Sequence, residues 1–112
     1  MAVSYVPERG DLVWIALDPQ AGHEQAGRRP GLVITPRVYN AKVGLALVCP
    51  VTSQVKGYPF EVALPAGDRV SGVVLADQVR SVDYAARQVE KASRVDSNVL
   101  AEVLAKIEAL IQ

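Results

Sequence analysis

Short apolar runs separated by glycine and proline dominate the first 95 residues of the chain. Five of these runs are strand candidates, and they cover residues 12–17, 32–35, 43–51, 60–64 and 72–79. Runs of this length between turn-forming residues are typical of β-strands, and residues 60–64 also show the two-residue period of a half-buried strand. Residues 88–95 form a sixth candidate. Prolines lie mostly at the run boundaries, where a missing backbone N–H is tolerated, so the pattern predicts a small antiparallel barrel.

The C-terminal end follows a different period. Its apolar residues recur at spacings of three and four, namely Val99, Leu100, Val103, Leu104, Ile107, Leu110 and Ile111. This spacing predicts one apolar stripe on a helix of about four turns. Asp96 or Ser97 is suited to cap its first amides, and Glu102 with Lys106 forms a favourable pair one turn apart. We expect the stripe to pack on the barrel, with a dimer interface as the alternative. Short helical turns are also expected at residues 37–41 and 83–87.

Length and composition limit the classes of protein. The chain has 112 residues, of which 50% are apolar and 21% charged, and its net charge is zero. These values predict one folded domain over residues 1–112, and they exclude a strongly basic whole-molecule field. No apolar run approaches the roughly 18 residues that a membrane span needs, and no leader opens the chain, so we expect no membrane association. A single cysteine, Cys49, excludes a disulfide within the chain and favours the cytoplasm. With one histidine and one cysteine, we expect no zinc site and no other cofactor.

Local charge departs from this neutral average. Residues 23–56 carry five basic residues against one acidic residue, a net of +4, whereas residues 1–22 and 57–112 each carry −2. The basic zone includes a long polar loop, residues 18–28, which ends in Arg28-Arg29-Pro30. Because the residue before a proline favours extended backbone, Arg29 has a more defined direction than most loop arginines. Arginine offers a bidentate fork to phosphate. From these residues alone, a solvated arginine pair, a salt bridge to Glu24, an anion-binding module and an enzyme all remain open.

The order and spacing of five short segments narrow the choice between these possible functions. The segments are Arg9-Gly10-Asp11-Leu12-Val13-Trp14, Glu24-Gln25-Ala26-Gly27 leading into Arg29-Pro30, Pro50-Val51-Thr52-Ser53, Lys56-Gly57-Tyr58-Pro59-Phe60-Glu61-Val62, and Leu75-Ala76-Asp77-Gln78-Val79. In this combination the chain resembles the MazF/PemK family of toxin–antitoxin endoribonucleases, most closely its MazF branch. The resemblance extends from about Tyr5 to the final helix. His23 departs from it, since relatives often have a small polar residue there.

The resemblance implies a fold and an activity. The fold is mainly β, a small SH3-like antiparallel barrel shared with CcdB-type toxins, with a C-terminal helix. The implied protein is a homodimeric toxin that cleaves single-stranded RNA, including mRNA, at a short sequence without a metal. Its products are a 2′,3′-cyclic phosphate and a 5′-hydroxyl. The implied partner is a labile MazE-like antitoxin whose acidic extended tail covers the RNA groove.

The resemblance also implies the catalytic residues. It assigns catalysis to Arg29 and Thr52, with a part for Glu24. Such cleavage needs a base for the 2′ proton, an acid for the 5′ oxygen and a group that stabilises charge on the phosphorus. Deprotonating an arginine at pH 7 costs at least about 7 kcal/mol, so we favour Arg29 as acid and clamp and Glu24 as the base. The resemblance also allows Arg29 to take part in proton transfer, and Glu24 could instead orient Arg29 through an ion pair, so the choice of base stays open here. Thr52 is then expected to donate its hydroxyl to a non-bridging oxygen.

Several other side chains are candidates for RNA contact. Arg28, Lys56 and Arg80 are expected to meet phosphates, although each could be an ordinary solvated charge. Tyr58 could stack on a base. Asp77 and Gln78 could each pair with a base or brace a loop.

The remaining unusual residues have simpler expected roles. Trp14, Phe60 and Cys49 are expected in the core, and His23 in an exposed loop. Nothing in the spacing of Asp18, Glu24 and Asp77 predicts a magnesium site.

Two other functions are compatible with the same sequence features. A CcdB-like toxin that inhibits DNA gyrase without catalysis would not need Glu24, Arg29 and Thr52 together. An RNA-binding module without cleavage would retain the basic zone but give no products.

Overall fold

The computed structural model describes residues 5–16, 27–67 and 69–112. Its elements are β1 (Asp11–Ala16), β2 (Arg28–Val33), α1 (Arg37–Val43), β3 (Ala46–Thr52), β4 (Glu61–Ala63), β5 (Val73–Leu75), β6 (Arg80–Val82), β7 (Glu90–Arg94) and α2 (Ser97–Ile111). None of the helices in these ranges has the length and apolar character required to cross a bilayer.

All seven strands belong to one antiparallel sheet. The order is β4-β5-β3-β2-β1-β7, and β6 adds to β3 beside that path. One edge of β3 is divided between two strands, since residues 46–48 pair with β6 and residues 51–52 pair with β5. The predicted mainly β, antiparallel fold with a C-terminal helix is confirmed. The sheet is open, because no pairing among the described residues joins β4 to β7.

The strand boundaries differ from the sequence prediction at three places. β2 begins at Arg28, inside a polar segment, because residues 28–30 pair with β1. The run 43–51 contains the end of α1 as well as β3. The helix ends at Gly44, which has a left-handed conformation (φ 80°) and donates its N–H to the Asn40 carbonyl at 2.9 Å. The run 72–79 contains only the short β5, and the separate strand β6 was not predicted.

The two expected helical turns have different outcomes. Residues 37–41 form part of α1, as predicted. Near residues 83–87, Asp83 closes one turn by accepting the N–H of Arg87 at 2.9 Å and, through its side chain, that of Ala86 at 3.1 Å. The chain does not continue as a helix there, because Gln88 has φ 52°.

Apolar side chains cover both faces of the sheet. Neighbouring strand residues point to opposite faces, yet Leu12 and Val13 are both fully buried, each in its own core cluster. The larger cluster lies under α2, which contributes Val99 and Val103 and begins with Asp96 as its cap, accepting the Asn98 N–H at 2.9 Å. The predicted stripe therefore packs on the sheet as far as Ile107, whereas its last two residues, Leu110 and Ile111, are 48% and 78% exposed.

The expected core residues Cys49, Trp14 and Phe60 belong to the same region. Cys49 is fully buried in the larger cluster, and burial raises the pKa of its thiol to about 12, with a smaller effect from Asp77. Trp14 and Phe60 pack against that cluster while each keeps part of its surface exposed.

Two buried polar side chains hold the segment before β1 in place. Asp11, 2% exposed, accepts hydrogen bonds from the Tyr5 hydroxyl, from the Glu8 N–H at 3.1 Å and from Arg94 at 3.0 Å. Burial, followed by the hydrogen bond to Asp11, raises the pKa of Tyr5, so its hydroxyl stays a donor. The amide of Asn40 donates to the Pro7 carbonyl at 2.8 Å. Each of these buried polar groups has a hydrogen-bond partner, and these bonds compensate the cost of removing the groups from water.

Candidate functional site

A cleft of about 820 Å³ opens where β2 begins and β3 ends. This volume is in the range of pockets that hold small ligands. The cleft brings together six of the eight site residues expected from the sequence, and these are Arg29, Thr52, Lys56, Tyr58, Gln78 and Arg80. They come from four separate parts of the chain, so only the folded sheet places them around one space.

Strand register explains why Arg29 and Thr52 share the cleft. The hydrogen-bonded pairing of β2 with β3 begins at Gly31, which lies opposite Pro50. If the same register is continued by two residues, Arg29 lies opposite Thr52. Side chains directly opposite in an antiparallel pair lie on the same face. Pro30 has no N–H to donate to the β2–β3 ladder. On the opposite edge of β2, the backbone of Arg29 pairs with Ile15 of β1.

Two contacts define the position of Thr52. Its hydroxyl oxygen accepts the Gln54 N–H at 3.1 Å, which leaves the hydroxyl hydrogen available to another acceptor. Gly72 approaches the Thr52 backbone so closely that a Cβ on it would lie 2.1 Å from the Thr52 carbonyl oxygen. With φ 116°, Gly72 also has a backbone conformation that residues with a side chain rarely adopt. The end of β3 is therefore packed against a position that only glycine can occupy.

Residues 53–60, which we call the cleft loop, carry Lys56 and Tyr58 between β3 and β4. The carboxylate of Glu61 accepts the backbone N–H groups of Lys56 at 3.0 Å and Gly57 at 2.9 Å. These bonds, that of Lys56 first, hold the pKa of Glu61 below its ordinary value of 4.5. The Tyr58 hydroxyl donates to Asp77 at 3.0 Å, and this bond raises the pKa of Tyr58.

The cleft is electrostatically positive. Four basic side chains line it, those of Arg29, Lys56, Arg80 and Arg87, against the two carboxylates of Glu61 and Asp83. Within the described ranges, the end groups of Arg29, Lys56 and Arg80 make no hydrogen bond or ion pair. Such groups are open to an anionic ligand, and phosphate is one of the anions that arginine binds with two parallel hydrogen bonds.

Arg28 lies outside the cleft, although it is adjacent to Arg29. Strand alternation sends the two side chains to opposite faces of β2. Arg28 forms an ion pair with Glu90 at 2.7 Å, and its guanidinium lies over the Trp14 ring, 5.6 Å from the ring centre. Its surroundings are those of a surface salt bridge with Glu90.

Glu24 and His23 lie outside the described residues, so their expected roles stay predictions. In the ranges that the structure covers, no group of three His, Cys, Asp or Glu side chains is arranged to hold a metal ion.

Sequence reasoning missed several residues of the cleft. Gln54, Ser81, Asp83 and Arg87 also line it. Arg87 reaches the Ala16 carbonyl at 3.4 Å, and thus connects the turn after β6 to the end of β1. The only sequence signal for Arg87 was the predicted turn at 83–87, which gave no reason to place it beside Arg29.

Comparison with known proteins gives one consistent family. Residues 8–111 match the family described as PemK-like, MazF-like toxin of type II toxin–antitoxin system. The chain is 49% identical to the endoribonuclease toxin MazF of Escherichia coli K12 over 111 residues, which is 99% of each chain. It is similar to the crystal structure of MazF from Deinococcus radiodurans, with 56% identity, a TM-score of 0.85 and coverage of 96% and 98% of the two chains. A MazE–MazF crystal structure from the same organism gives a TM-score of 0.86 at 49% identity, covering 96% of this chain and 97% of that one.

Proposed function

Since this chain belongs to the PemK-like, MazF-like toxin family of type II toxin–antitoxin systems, we propose that it is a sequence-specific endoribonuclease acting on single-stranded RNA. Relatives that are 49% and 40% identical carry the names endoribonuclease toxin MazF and endoribonuclease PemK. One observation carries the proposal to this chain: Arg29 and Thr52 line one cleft, and the Arg29 guanidinium has no partner among the described residues.

Arg29 acts on the charge of the reacting phosphate. Attack by the 2′-OH forms the 2′-O–P bond as the P–5′-O bond breaks, and negative charge accumulates on the non-bridging oxygens. A fixed guanidinium stabilises this charge more than that of the starting phosphodiester, which is the condition for catalysis. Arg29 also hydrogen-bonds the departing 5′ oxygen, which leaves as a hydroxyl with a proton from the guanidinium. Solvent or the protonated base then returns that proton.

Thr52 supplies a second donor. Because its oxygen already accepts the Gln54 N–H at 3.1 Å, its hydrogen can point to a non-bridging oxygen without competing for that bond. A neutral donor held in this way adds to the electrostatic stabilisation by Arg29.

The base that receives the 2′ proton is assigned to Glu24. Glu61 is a poor alternative, since its two oxygens accept two backbone amides and its pKa lies below 4.5. A carboxylate whose charged form is favoured in this way has less tendency to take a proton at neutral pH than an ordinary glutamate.

RNA on either side of the cut is held by the other cleft residues. Lys56 and Arg80 contact phosphates, the exposed ring of Tyr58 stacks on a base, and Gln78 bonds to a base edge. Splayed single-stranded bases offer both their faces and their edges, which explains a preference for single-stranded RNA.

The biological setting follows from the same family membership. The solved MazE–MazF complexes suggest that this chain also pairs with a MazE-like antitoxin, whose acidic tail is complementary to the positive cleft. We place the single domain in a cytoplasmic homodimer that inhibits translation when the antitoxin is lost.

Cut mapping on a long RNA tests the proposal. We expect the purified protein to cut at a short recurring sequence in excess EDTA, leaving 2′,3′-cyclic phosphate and 5′-hydroxyl ends. A single 2′-deoxynucleotide on the 5′ side of the scissile phosphate removes the attacking hydroxyl and should stop the reaction. Dependence on Mg²⁺, or cleavage of the deoxy substrate, would contradict the mechanism. A gel shift without products would instead favour an RNA-binding module.

A further inference from the structure

Apolar packing holds only the last residue of the cleft loop, Phe60, which packs against the larger cluster. Residues 53–59 of the loop are all exposed, and Val55 keeps 62% of its surface accessible. A segment that buries so little surface has few contacts to offset the entropy lost when its backbone is fixed. Polar contacts must therefore account for the conformation of residues 53–59.

Glu61 makes the first of these contacts. One carboxylate oxygen accepts the N–H of Lys56 and the other accepts that of Gly57, at 3.0 and 2.9 Å. Gly57 has φ 81°, so the two consecutive N–H groups converge on one anion, as in the backbone concavities that bind anions. The bonds fix the backbone from which the Lys56 side chain projects into the cleft.

Asp77 and Lys106 hold the next two residues. Asp77 lies in the turn after β5 and accepts the Tyr58 hydroxyl at 3.0 Å, while Lys106 of α2 donates to the Pro59 carbonyl. At the other end of the loop, the Gln54 N–H is held by Thr52. The loop is thus attached to four parts of the chain, which are β3, β4, the turn after β5 and α2, at points only one to two residues apart.

We propose that Glu61 and Asp77 are positioning residues, which hold the cleft loop in the shape that presents Lys56 and Tyr58 to RNA. The inference rests on the proposed function for the identity of the ligand. Neither carboxylate needs to touch the reacting atoms. A preformed loop avoids the ordering cost that RNA binding would otherwise include. The roles therefore belong to substrate binding and not to the chemical step.

Steady-state kinetics on a short RNA that contains one mapped cut site test the inference. For Glu61→Ala and Asp77→Ala we expect KM to rise about 3- to 10-fold, because the ordering cost returns at binding, and kcat to change less than about 2-fold. Glu61→Gln keeps one carbonyl oxygen for one of the two amides and should recover part of the loss. Glu108→Ala is the matched control, since it removes an exposed carboxylate of α2 that does not line the cleft.

Double-mutant cycles separate positioning from direct contact. If Glu61 acts through Lys56, adding Glu61→Ala to Lys56→Ala should raise KM much less than it does in the wild-type background. Likewise, Asp77→Ala should have little further effect once Tyr58→Phe has removed the hydroxyl. Additive losses in both cycles, or a fall in kcat at constant KM, would overturn the inference while leaving the endoribonuclease assignment intact.

An NMR measurement tests the loop itself without cleavage. The amide resonances of Lys56 and Gly57 should move strongly in Glu61→Ala and remain in place in Glu108→Ala. Unchanged resonances would overturn the inference even if the wild-type protein cuts RNA. Absence of cutting by the wild-type protein, with the amide shifts as expected, would remove the proposed function and confine the role of Glu61 to loop structure.

Discussion

Asp11 and Arg29 lie at opposite ends of the β1–β2 pair, and their surroundings differ in one respect. At the Asp11 end, a buried carboxylate is surrounded by donors, those of Tyr5, the Glu8 amide and Arg94. At the Arg29 end, the guanidinium groups of Arg29 and Arg80 and the ammonium group of Lys56 face an open cleft without hydrogen-bond partners among the described residues. Both regions are charged, but only at the Asp11 end do groups of the chain itself satisfy the hydrogen bonds of the charged side chain.

This contrast distinguishes structural charge from functional charge. A buried charge is tolerated when its hydrogen bonds are satisfied, and then it stabilises one particular packing. Exposed cations gathered by the fold without partners contribute little to stability, since surface charges interact weakly through water. We therefore expect substitutions at the Asp11 end to reduce stability and substitutions at the Arg29 end to reduce activity.

The largest effect on activity is expected from Arg29→Ala. Loss of the guanidinium should lower kcat/KM by about 10³-fold, since a charged donor to the transition state is removed. The unfolding temperature should change by less than about 2 °C, because the side chain contributes no bond to the described fold.

Arg28→Ala is the matched control for that change. It removes the same charge one residue away, together with the Glu90 ion pair at 2.7 Å, and should lower stability by less than about 1 kcal/mol because the pair is exposed. RNA cleavage should remain within about threefold of wild type. Equal loss of cleavage in both variants would mean that general basic charge, and not the cleft, carries the activity.

Thr52→Val should have the next largest effect on activity. Valine keeps the shape but removes the donor, and we expect about a 10²-fold lower kcat, as for other lost transition-state donors. Thr52→Ser restores a hydroxyl and should recover most of the rate. Single-turnover cleavage with saturating protein measures this directly, and a valine variant with wild-type kcat would exclude the assigned role.

Asp11→Asn should affect stability and not catalysis. The amide replaces an acceptor by a donor opposite Arg94 and the Tyr5 hydroxyl, which should cost about 2 kcal/mol. For a domain of this size that corresponds to about 10 °C in the unfolding temperature. Thermal denaturation followed by circular dichroism tests this, with RNA cleavage measured well below the transition. A stable variant that has lost activity would refute the separation between the two ends.

The smallest effect is the acid titration of Glu61. Its pKa lies below the ordinary value of 4.5, so the charged form is favoured in the folded loop. The stabilisation is fully present above pH 4.5 and is lost as the pH falls through the folded-state pKa. Carbon-detected NMR of the Glu61 carboxyl should give this midpoint, and the Lys56 and Gly57 amides should titrate with it. A midpoint at or above 4.5 would contradict the two-amide contact.

Residues with a strong local pattern were predictable. The apolar stripe on α2, its cap at Asp96 and the alternation in residues 60–64 depend on neighbours in sequence. The cap and the alternation agree with the structure, and the stripe agrees as far as Ile107. β6 was not predicted, since Arg80, Ser81 and Val82 have no strand pattern and pair only because β3 offers an edge. The start of β2 was missed for the same reason, because pairing with β1 overrides a polar sequence.

For the site, the sequence by itself determined which chemistry was available, through its family motifs and through the basic residues around Arg29 and Thr52. Tertiary structure alone decided which of those groups meet. The β2–β3 register, continued by two residues, places Arg29 opposite Thr52. Alternation turns Arg28 away toward Glu90, and the turn after β6 adds Arg87. The physical reason is that residue type and local period are properties of a short segment, whereas the cleft depends on hydrogen-bonded pairing between segments distant in sequence.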